Sequence, residues 1–526
     1  MAELPGQVDV VVVGAGIAGL VASSFLAEAG RQTLVLEANH QVGGLMAGIR
    51  RRGFTFDAGD QSFEDAGMLF PILEQLGIDP GAALHRASHR FVGPGFDYTP
   101  TSLEAAQAGI HAAVPEEADG VRALFDRFRR LETAQEAMRE GIYPPALPHD
   151  QWPAALARFV RWQLSHGRVF GRAGELRYGE VVEELIGDEG TRRILGRAGY
   201  RDQSMLMAAG LWYSWCHDYW YPRGGMQVFV EKLADVARER GADIRLRCPV
   251  TRVLAEGGRV AGVGLADGRE LRAKRVVWAA DAKTLYRSAL PEEHRDGARA
   301  RRVLAAPPSD TMVALYLGLD MPPDELRQRL GATHLFHFHD DHLARVDERL
   351  EDPDVHADVW LQWNAPILHG EEFAPAGQSA VVLQAFSDTR WMSRWGMEDG
   401  GRPRYDELKQ RVSDQLLAGA ERWIPDLSRR VLYRDLGSPL AVERFTGNTD
   451  GATAGWSYAP GGKPFRAPGI GPGTPLAGLW QGGQWAIWPG GVPFAAMSGR
   501  LAAELALDGW SGHLWRLLSG KVRARR

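Results

Sequence analysis

The chain holds little cysteine: Cys216 and Cys248 are the two among 526 residues. That excludes a disulfide scaffold and a cysteine-rich zinc or iron–sulfur site, and it makes a reducing cytoplasm the simplest home. Charge of one sign is also missing. The formal net charge is −5, so no basic field exists to gather nucleic acid, and that class of partner is set aside. Nor is there an uninterrupted apolar run of ~20 residues such as a spanning helix needs. The nearest, Val10 to Ala29, is broken by Gly14, Gly16 and Gly19, and Glu3 and Asp9 rather than Lys or Arg precede it, so it reads as neither signal peptide nor membrane span. Internal repeats are absent as well. A length of 526 residues suggests about two to four domains, which an interleaved two-domain enzyme satisfies.

What is present begins at the N-terminus. Val8 to Val13 is a β-branched run with one Asp, a buried parallel strand by pattern, and it leads straight into Gly14-Ala15-Gly16-Ile17-Ala18-Gly19. Leu20 to Ala29 follows with helix formers and stops at Gly30; Thr33 to Leu36 supplies a second strand ending on Glu37. Strand, GxGxxG turn, helix, strand and acidic terminus make a βαβ dinucleotide-binding unit. Gly14 makes the tight turn, Gly16 lets the backbone approach a pyrophosphate, and Gly19 lets helix and sheet pack closely. The helix N-terminus, with Ile17 and Ala18 in its first turn, then faces the anion. Glu37, followed by Ala38, stands close to the ~20 residues at which a carboxylate accepts from a ribose 2′-hydroxyl, and this argues against NADP.

After Glu37 come Gly43-Gly44-Leu45 and then Gly53-Phe54-Thr55-Phe56-Asp57-Ala58-Gly59. This order resembles the flavin family that contains amine oxidases and carotenoid (phytoene) desaturases. In that family a glycine pair, usually GGR, lies against the FAD phosphates and ribityl chain, and an FDxG segment follows. The resemblance implies FAD contacts from Gly43, Gly44 and Leu45, with Leu45 in the place of the family's Arg. Arg50, Arg51 and Arg52 either compensate or form a solvated basic turn. Further on, Pro222-Arg223-Gly224-Gly225-Met226 opens a helix, three short strands with turns at Gly257-Gly258 and Asp267-Gly268 follow, and Val276-Val277-Trp278-Ala279-Ala280-Asp281 closes the stretch. The residues alone give a helix and a β-meander. The order also resembles carotenoid desaturases and their isomerase and saturase relatives, which implies that Val250 contacts adenine through its backbone.

The C-terminal stretch Leu479-Trp480-Gln481-Gly482-Gly483-Gln484-Trp485, then Pro489-Gly490-Gly491-Val492-Pro493-Phe494-Ala495-Ala496-Met497-Ser498-Gly499-Arg500, is similar to the family's LYLAGDW and GGGVPGAxxSGR. Physically it is a strand, a glycine turn and a helix beginning near Pro493. The free N–H groups at that helix start, from Gly491 and Val492, would face the flavin N1/O2 edge and stabilise negative charge there. Gly483 and Gln484 occupy the family's Gly-Asp position, so a ribityl-side contact would come from a neutral amide. No Cys lies nearby, so FAD is expected to be held non-covalently. No second strand–GxGxxG–helix unit is visible, Gly469 to Gly473 enclosing a proline, and a tightly bound nicotinamide is not expected. The implied fold class is α/β. A Rossmann-like FAD-binding domain, parallel sheet plus β-meander, takes residues 1–85, 222–300 and 435–526, interleaved with an α+β substrate-binding domain of residues 86–221 and 301–434.

Tryptophan is abundant, at 17, and it clusters in Trp212-Tyr213-Ser214-Trp215-Cys216-His217-Asp218-Tyr219-Trp220. Trp212, Trp215 and Tyr219 are candidates for an aromatic substrate wall beside the flavin; the other reading is a Trp-rich core between two domains. His217 and Asp218 are candidate proton carriers by location, against the commoner fate of a buried His bonded to a carbonyl. His334, His337, His339 and His342 with Asp340 and Asp341 invite a metal, but a half-buried edge strand explains them, and no metal is expected. The tail from Trp510 to Arg526 mixes Leu514, Trp515, Leu517 and Leu518 with Arg516, Lys521, Arg523, Arg525 and Arg526, and reads as a solvated terminus or as a peripheral membrane contact. The expected activity is a phytoene-desaturase-like FAD oxidoreductase that makes, removes or isomerises a carbon–carbon double bond in a hydrophobic polyene or isoprenoid. Its rivals are an amine-oxidase-like enzyme and an FAD-stabilised binding protein without turnover.

Overall fold

A strand with valine at five of seven positions has two apolar faces and belongs inside a sheet covered on both sides. Gln7–Val13 takes that place in the computed structural model of the protein, which describes residues 4–339, 343–460, 471–487 and 490–521. Asp340, Asp341, His342, Gly469, Ile470, Pro489, Arg523, Arg525 and Arg526 lie outside the described residues. In hydrogen-bonded order the first sheet runs Val250–Glu256, Arg259–Leu265, Glu270–Trp278, Gln7–Val13, Thr33–Leu36, Asp243–Arg245. The last four are parallel, and the first two form the antiparallel meander. Glu270–Trp278 is long enough to pair twice: residues 270–272 hold the meander, while 276–278 take Leu479–Gln481 in parallel. The far end of the chain is thereby brought back beside the glycine turn.

Helices Ile17–Glu28, Met226–Glu239 and Val492–Ser519 pack together. The first and last of these come unusually close, since a Cβ on Gly499 would stand 2.2 Å from Ala18 O, and the first lies as tightly on its own glycine turn, where a Cβ on Gly19 would stand 1.9 Å from Gly14 O.

The second sheet orders Val431–Gly437, Thr311–Leu319, Ser379–Ser387, Leu361–Asn364, His334–His337, His89–Gly93, Phe96–Tyr98. Its pairs are antiparallel except His334–His337 with His89–Gly93. Helices between residues 103 and 217 cover it with a separate aromatic core. Here one expectation fails. His334–His337 is an interior strand, buried at all four positions, not a half-buried edge. His334 and His337 are pushed down to about 4 by burial, which keeps them neutral. Among the described residues no group of His, Cys, Asp or Glu could hold a metal.

Arg50, Arg51 and Arg52 are exposed at the hairpin of Gly48–Arg51 and Phe54–Asp57, so the solvated-turn reading describes them. Met392, Ser393, Arg394 and Trp395 all have positive φ, 47° to 56°, a left-handed turn that L-residues rarely form. Trp391 and Trp395, fully buried, anchor it by indole N–H bonds to Asp352 O at 2.9 Å and Asp388 O at 3.0 Å.

Candidate active site

The glycine turn has the shape its sequence implies. Gly14 adopts φ +96° with its N–H on Leu36 O, 2.9 Å away, and any side chain there would strike Ala279 O. Gly43, φ +126°, donates to Ala15 O at 2.9 Å and bridges to Gly16, so the glycine pair is laid alongside the GxGxxG turn. In front of Gly16, Gly44 and Gly483, added Cβ atoms would meet only ordinary contacts of 3.6 to 3.9 Å, so the bare backbone of three segments lines one groove. Ile17 and Ala18 begin the helix behind it. Gly483 is fixed by its N–H on Ser498 Oγ at 2.7 Å, and Gln484 lies part-exposed beside Gly455.

Glu37 is 6% exposed, and its carboxylate reaches back to accept from Ala15 N–H at 2.7 Å and from Asn39 N–H at 2.8 Å and Nδ2 at 3.1 Å. Three of about four acceptor positions are filled, which leaves room for one ribose hydroxyl. Ala38, next to it, is exposed. Cys248 N–H donates to Glu37 O at 2.8 Å, bringing the strand that opens at Val250 to this point. A groove of bare glycine backbone at a helix start, with an acidic residue at its end, fits the ADP half of FAD.

The FDxG and PxGGM segments meet. Asp57 accepts from Met226 N–H at 2.9 Å and from Tyr221 O–H at 2.6 Å, capping the helix Met226–Glu239, and burial lifts its carboxyl to about 6. The next two residues are tied down from the second sheet: Tyr316 O–H donates to Ala58 O at 2.7 Å and Gln384 Nε2 to Gly59 O at 2.9 Å.

A cavity of about 540 Å³ opens against the second sheet, and Leu45, Gly59, Gly491 and Val492 lie on its wall. Gly491, φ +97°, stands at the start of the helix Val492–Ser519 and has no side chain to cap it, and no described residue is bonded to the first N–H groups, which can therefore meet a ligand. Aromatic rings dominate the rest: Trp215, Tyr219, Phe336, Trp360 and Phe386 among them. Tyr200 and Tyr458 meet edge to face at 4.6 Å.

Trp215 and Tyr219 line this cavity. Trp212 does not: it is 2% exposed in the aromatic core, 5.6 Å from Phe91 and 5.4 Å from Phe125, because its helix position turns it away from the cavity. His217 is also off the wall, its Nε2 3.1 Å from Glu132 Oε1. Asp218 is on the wall but committed. It accepts from Asp65 N–H at 3.3 Å, Ala66 N–H at 2.9 Å and Trp220 Nε1 at 2.8 Å and pairs with Arg139 at 3.5 Å, which makes it an anchor for the 65–66 turn, not a proton carrier.

Sequence reasoning missed Asp60 and Glu64. Both face the cavity. Burial raises each to about 7, helped at Asp60 by the charges of Glu64 and Asp57 and at Glu64 by Asp218 and Asp65. The DxxxE spacing after FDAG is the one signal they carry, and it reads as an ordinary polar turn.

Residues 17–507 match the family described as flavin containing amine oxidoreductase. The chain belongs to that family. Hydroxyneurosporene desaturase of Cereibacter sphaeroides is 28% identical over 95% of this chain and 97% of its own. Prolycopene isomerase of Daucus carota is 25% identical over 95% and 81%, and all-trans-retinol 13,14-reductase of Danio rerio 24% over 84% and 76%. Among solved structures, cyclohexylamine oxidase of Brevibacterium oxydans shares the fold with a TM-score of 0.59 at 17% identity, covering 95% of this chain and 99% of that one. This member of the amine oxidoreductase family is an FAD-dependent oxidoreductase.

Proposed function

We propose that the enzyme acts on a carbon–carbon bond of a hydrophobic polyene or isoprenoid, by desaturation, saturation or isomerisation. The observation that carries this reading is the cavity: about 540 Å³, mostly apolar with many aromatic side chains, and reaching the helix start at Gly491–Val492. FAD, when bound, supplies an N5 that exchanges hydride with a carbon held against its ring. The chain's own part is to place that carbon and keep water out. Trp215, Tyr219, Phe336 and Trp360 give an apolar surface on which a conjugated chain can lie, while Gly491 and Val492 offer N–H groups to developing negative charge.

One observation favours an amine-oxidising rival. Asp60, Glu64 and the Tyr200–Tyr458 pair form an acidic, aromatic corner that suits a cation. Anaerobic titration of the purified holoenzyme with a polyene panel and an amine panel separates the two: bleaching of the flavin bands by a polyene supports desaturation, polyene conversion without net bleaching supports isomerisation, and bleaching by amines alone refutes the proposal.

We also propose a peripheral membrane contact through exposed apolar side chains. Leu164, Leu514 and Leu518 are 84%, 55% and 74% exposed, and Trp515 is half exposed. Arg516, weighed above as part of the basic tail, is instead buried against Glu504 and Asp508. Among the described residues no helix is long and apolar enough to cross a membrane.

A further inference from the structure

Most buried acids in this fold are committed. Asp57 caps a helix, Asp65 accepts from Gly67 and Phe70 N–H groups, Asp218 holds the 65–66 turn, and Asp281 takes Thr284 and Thr449. Asp60 and Glu64 differ. Among the described residues neither accepts a hydrogen bond from another residue, Glu64 meeting only its own N–H, and the accessible surface of both belongs to the cavity. Glu64 Oε1 lies 3.1 Å from where a Cβ of Gly491 would be, so this carboxyl sits at the free start of the C-terminal helix.

Among the described residues the surroundings supply no competing partner. Tyr200, Tyr219 and Tyr458 face the pair, and burial holds their phenols protonated. Asp57, Asp65 and Asp218 stand behind it and repel its charge, while Arg139 leans on Asp218 and Tyr213. His89, on the same wall, is 3% exposed, neutral through burial, and has an Nδ1 without a partner. An uncommitted carboxyl pair at one corner of an aromatic cavity offers a substrate a negative charge and a place for a proton.

We propose that Glu64, backed by Asp60, is the catalytic proton carrier of this enzyme. The inference rests on the carbon–carbon reading given above. In desaturation one C–H bond would break with its electron pair leaving as hydride, for which bound FAD would be the acceptor. The neighbouring C–H bond breaks with its proton going to the Glu64 carboxylate, and the pair left behind becomes the new C=C bond. Positive charge that develops on carbon between the two events is stabilised by the paired carboxyls. In saturation the same proton returns from Glu64 to carbon. Asp60 is the positioning residue, since its charge governs when Glu64 holds a proton.

The test uses holoenzyme and two probes of equal chain length, decyltrimethylammonium below its micelle concentration and decanol, followed by the flavin absorbance shift. A quaternary ammonium mimics the cationic carbon and cannot be oxidised as an amine. The cation should bind at least about tenfold more tightly than decanol at pH 8.5 and lose that advantage by pH 5.5, as the pair takes up protons. Glu64→Gln should abolish the preference and Asp60→Asn weaken it, with decanol affinity unchanged. With a reactive polyene, Glu64→Gln should slow flavin reduction by about 10² or more at unaltered polyene affinity, and Glu64→Asp should restore part of the rate. Native-like reduction by Glu64→Gln, or a cation preference that ignores both substitutions, overturns the inference while leaving the polyene reading intact. If no polyene reacts but the Glu64-dependent cation preference stands, the polyene reading is what fails. Should Glu64→Gln lose FAD, Asp60→Asn and Glu64→Asp carry the same comparison.

Discussion

Gly499→Ala adds one carbon where two backbones already touch. The new Cβ would lie 2.2 Å from Ala18 O and 2.9 Å from Ala18 C and Cα. A carbon and a carbonyl oxygen approach to about 3.3 Å, so the gap falls short by roughly 1 Å. Both sides are backbone, no rotamer relieves the clash, and the helices Ile17–Glu28 and Val492–Ser519 must part. Overpacking of this kind costs about 1–3 kcal/mol, and a backbone collision belongs near the upper end. Alanine's better helix propensity returns about 1 kcal/mol, so the net loss is about 2 kcal/mol. Ala18 belongs to the GxGxxG turn, and moving it displaces Gly16 from its bridge to Gly43. FAD affinity should therefore fall, by up to about thirtyfold if the whole loss appears in binding, since 1.4 kcal/mol is one decade. Flavin content after purification, flavin fluorescence on titrating apoprotein with FAD, and the melting temperature measure the effect. Gly171→Ala, in the helix Trp152–Glu175 with nothing within 4 Å of the new carbon, is the control and should stabilise by up to about 1 kcal/mol. A Gly499→Ala protein with native FAD affinity and melting temperature would refute the close-approach argument.

Three further outcomes are expected. Glu504 is fully buried between Arg500 and Arg516, with His149 Nε2 at 2.9 Å, so Glu504→Gln takes the ion-pair partner from buried Arg500 and leaves Arg516 with Asp508 alone, and it should cost about 3–5 kcal/mol in urea unfolding; a loss under 1 kcal/mol contradicts this. Ser393→Gly relieves one left-handed residue of the Met392–Trp395 turn and should raise the melting temperature, by about 0.5–1 kcal/mol of stability after the entropic cost of glycine. His149, His334, His337, His356, His369 and His513 are all depressed by burial to about 3 or 4, so each stabilises fully above its unfolded value of 6.5 and loses that contribution as pH falls toward the folded value. Asp57, Asp60, Glu64 and Asp65 are raised to about 6 or 7 and act in the opposite sense over the same window, but they are fewer. Melting temperature should accordingly drop between about pH 6.5 and 4, and a flat or rising profile counts against the buried neutral histidines.

What could be read from the residues was whatever local spacing controls. The turn from Gly14 to Gly19, Glu37 at the end of the second strand and the helix start at Gly491 each depend on a short run of chain, and their backbone geometry follows from it. Side-chain direction was less legible. Trp212 and Trp215 lie three residues apart on one helix, yet Trp212 enters the aromatic core and Trp215 the cavity, because the two surfaces meet along that helix. His217 and Asp218 were attractive for their chemistry, but a functional acid or base needs an unused valence, and the structure gives theirs to Glu132 and to the 65–66 turn. The left-handed Met392–Trp395 turn had no signal at all, since Ser393 and Arg394 have no preference for that region.

The acids at 60 and 64 show why the remainder stayed hidden, and what it means for the chemistry. In sequence they sit in a polar stretch that any surface turn could carry. They become unusual only because Gly491, from the far end of the chain, and Tyr200 and Tyr458, from two other segments, close around them and remove water. The family resemblance points the other way: it implies Arg and Asp at the places where this chain carries the neutral Leu45 and Gln484. Charge is instead concentrated at the cavity, on two carboxyls to which no cation among the described residues is committed. Keeping two carboxyls in an apolar pocket is costly for folding. Such a cost is retained where the groups act on what enters the cavity, and the plain alternative makes a distinct prediction: if they are only packing, Asp60→Asn with Glu64→Gln should raise the melting temperature above pH 7 and leave turnover unchanged. A stabilised protein that no longer turns over its substrate is the signature of a working pair.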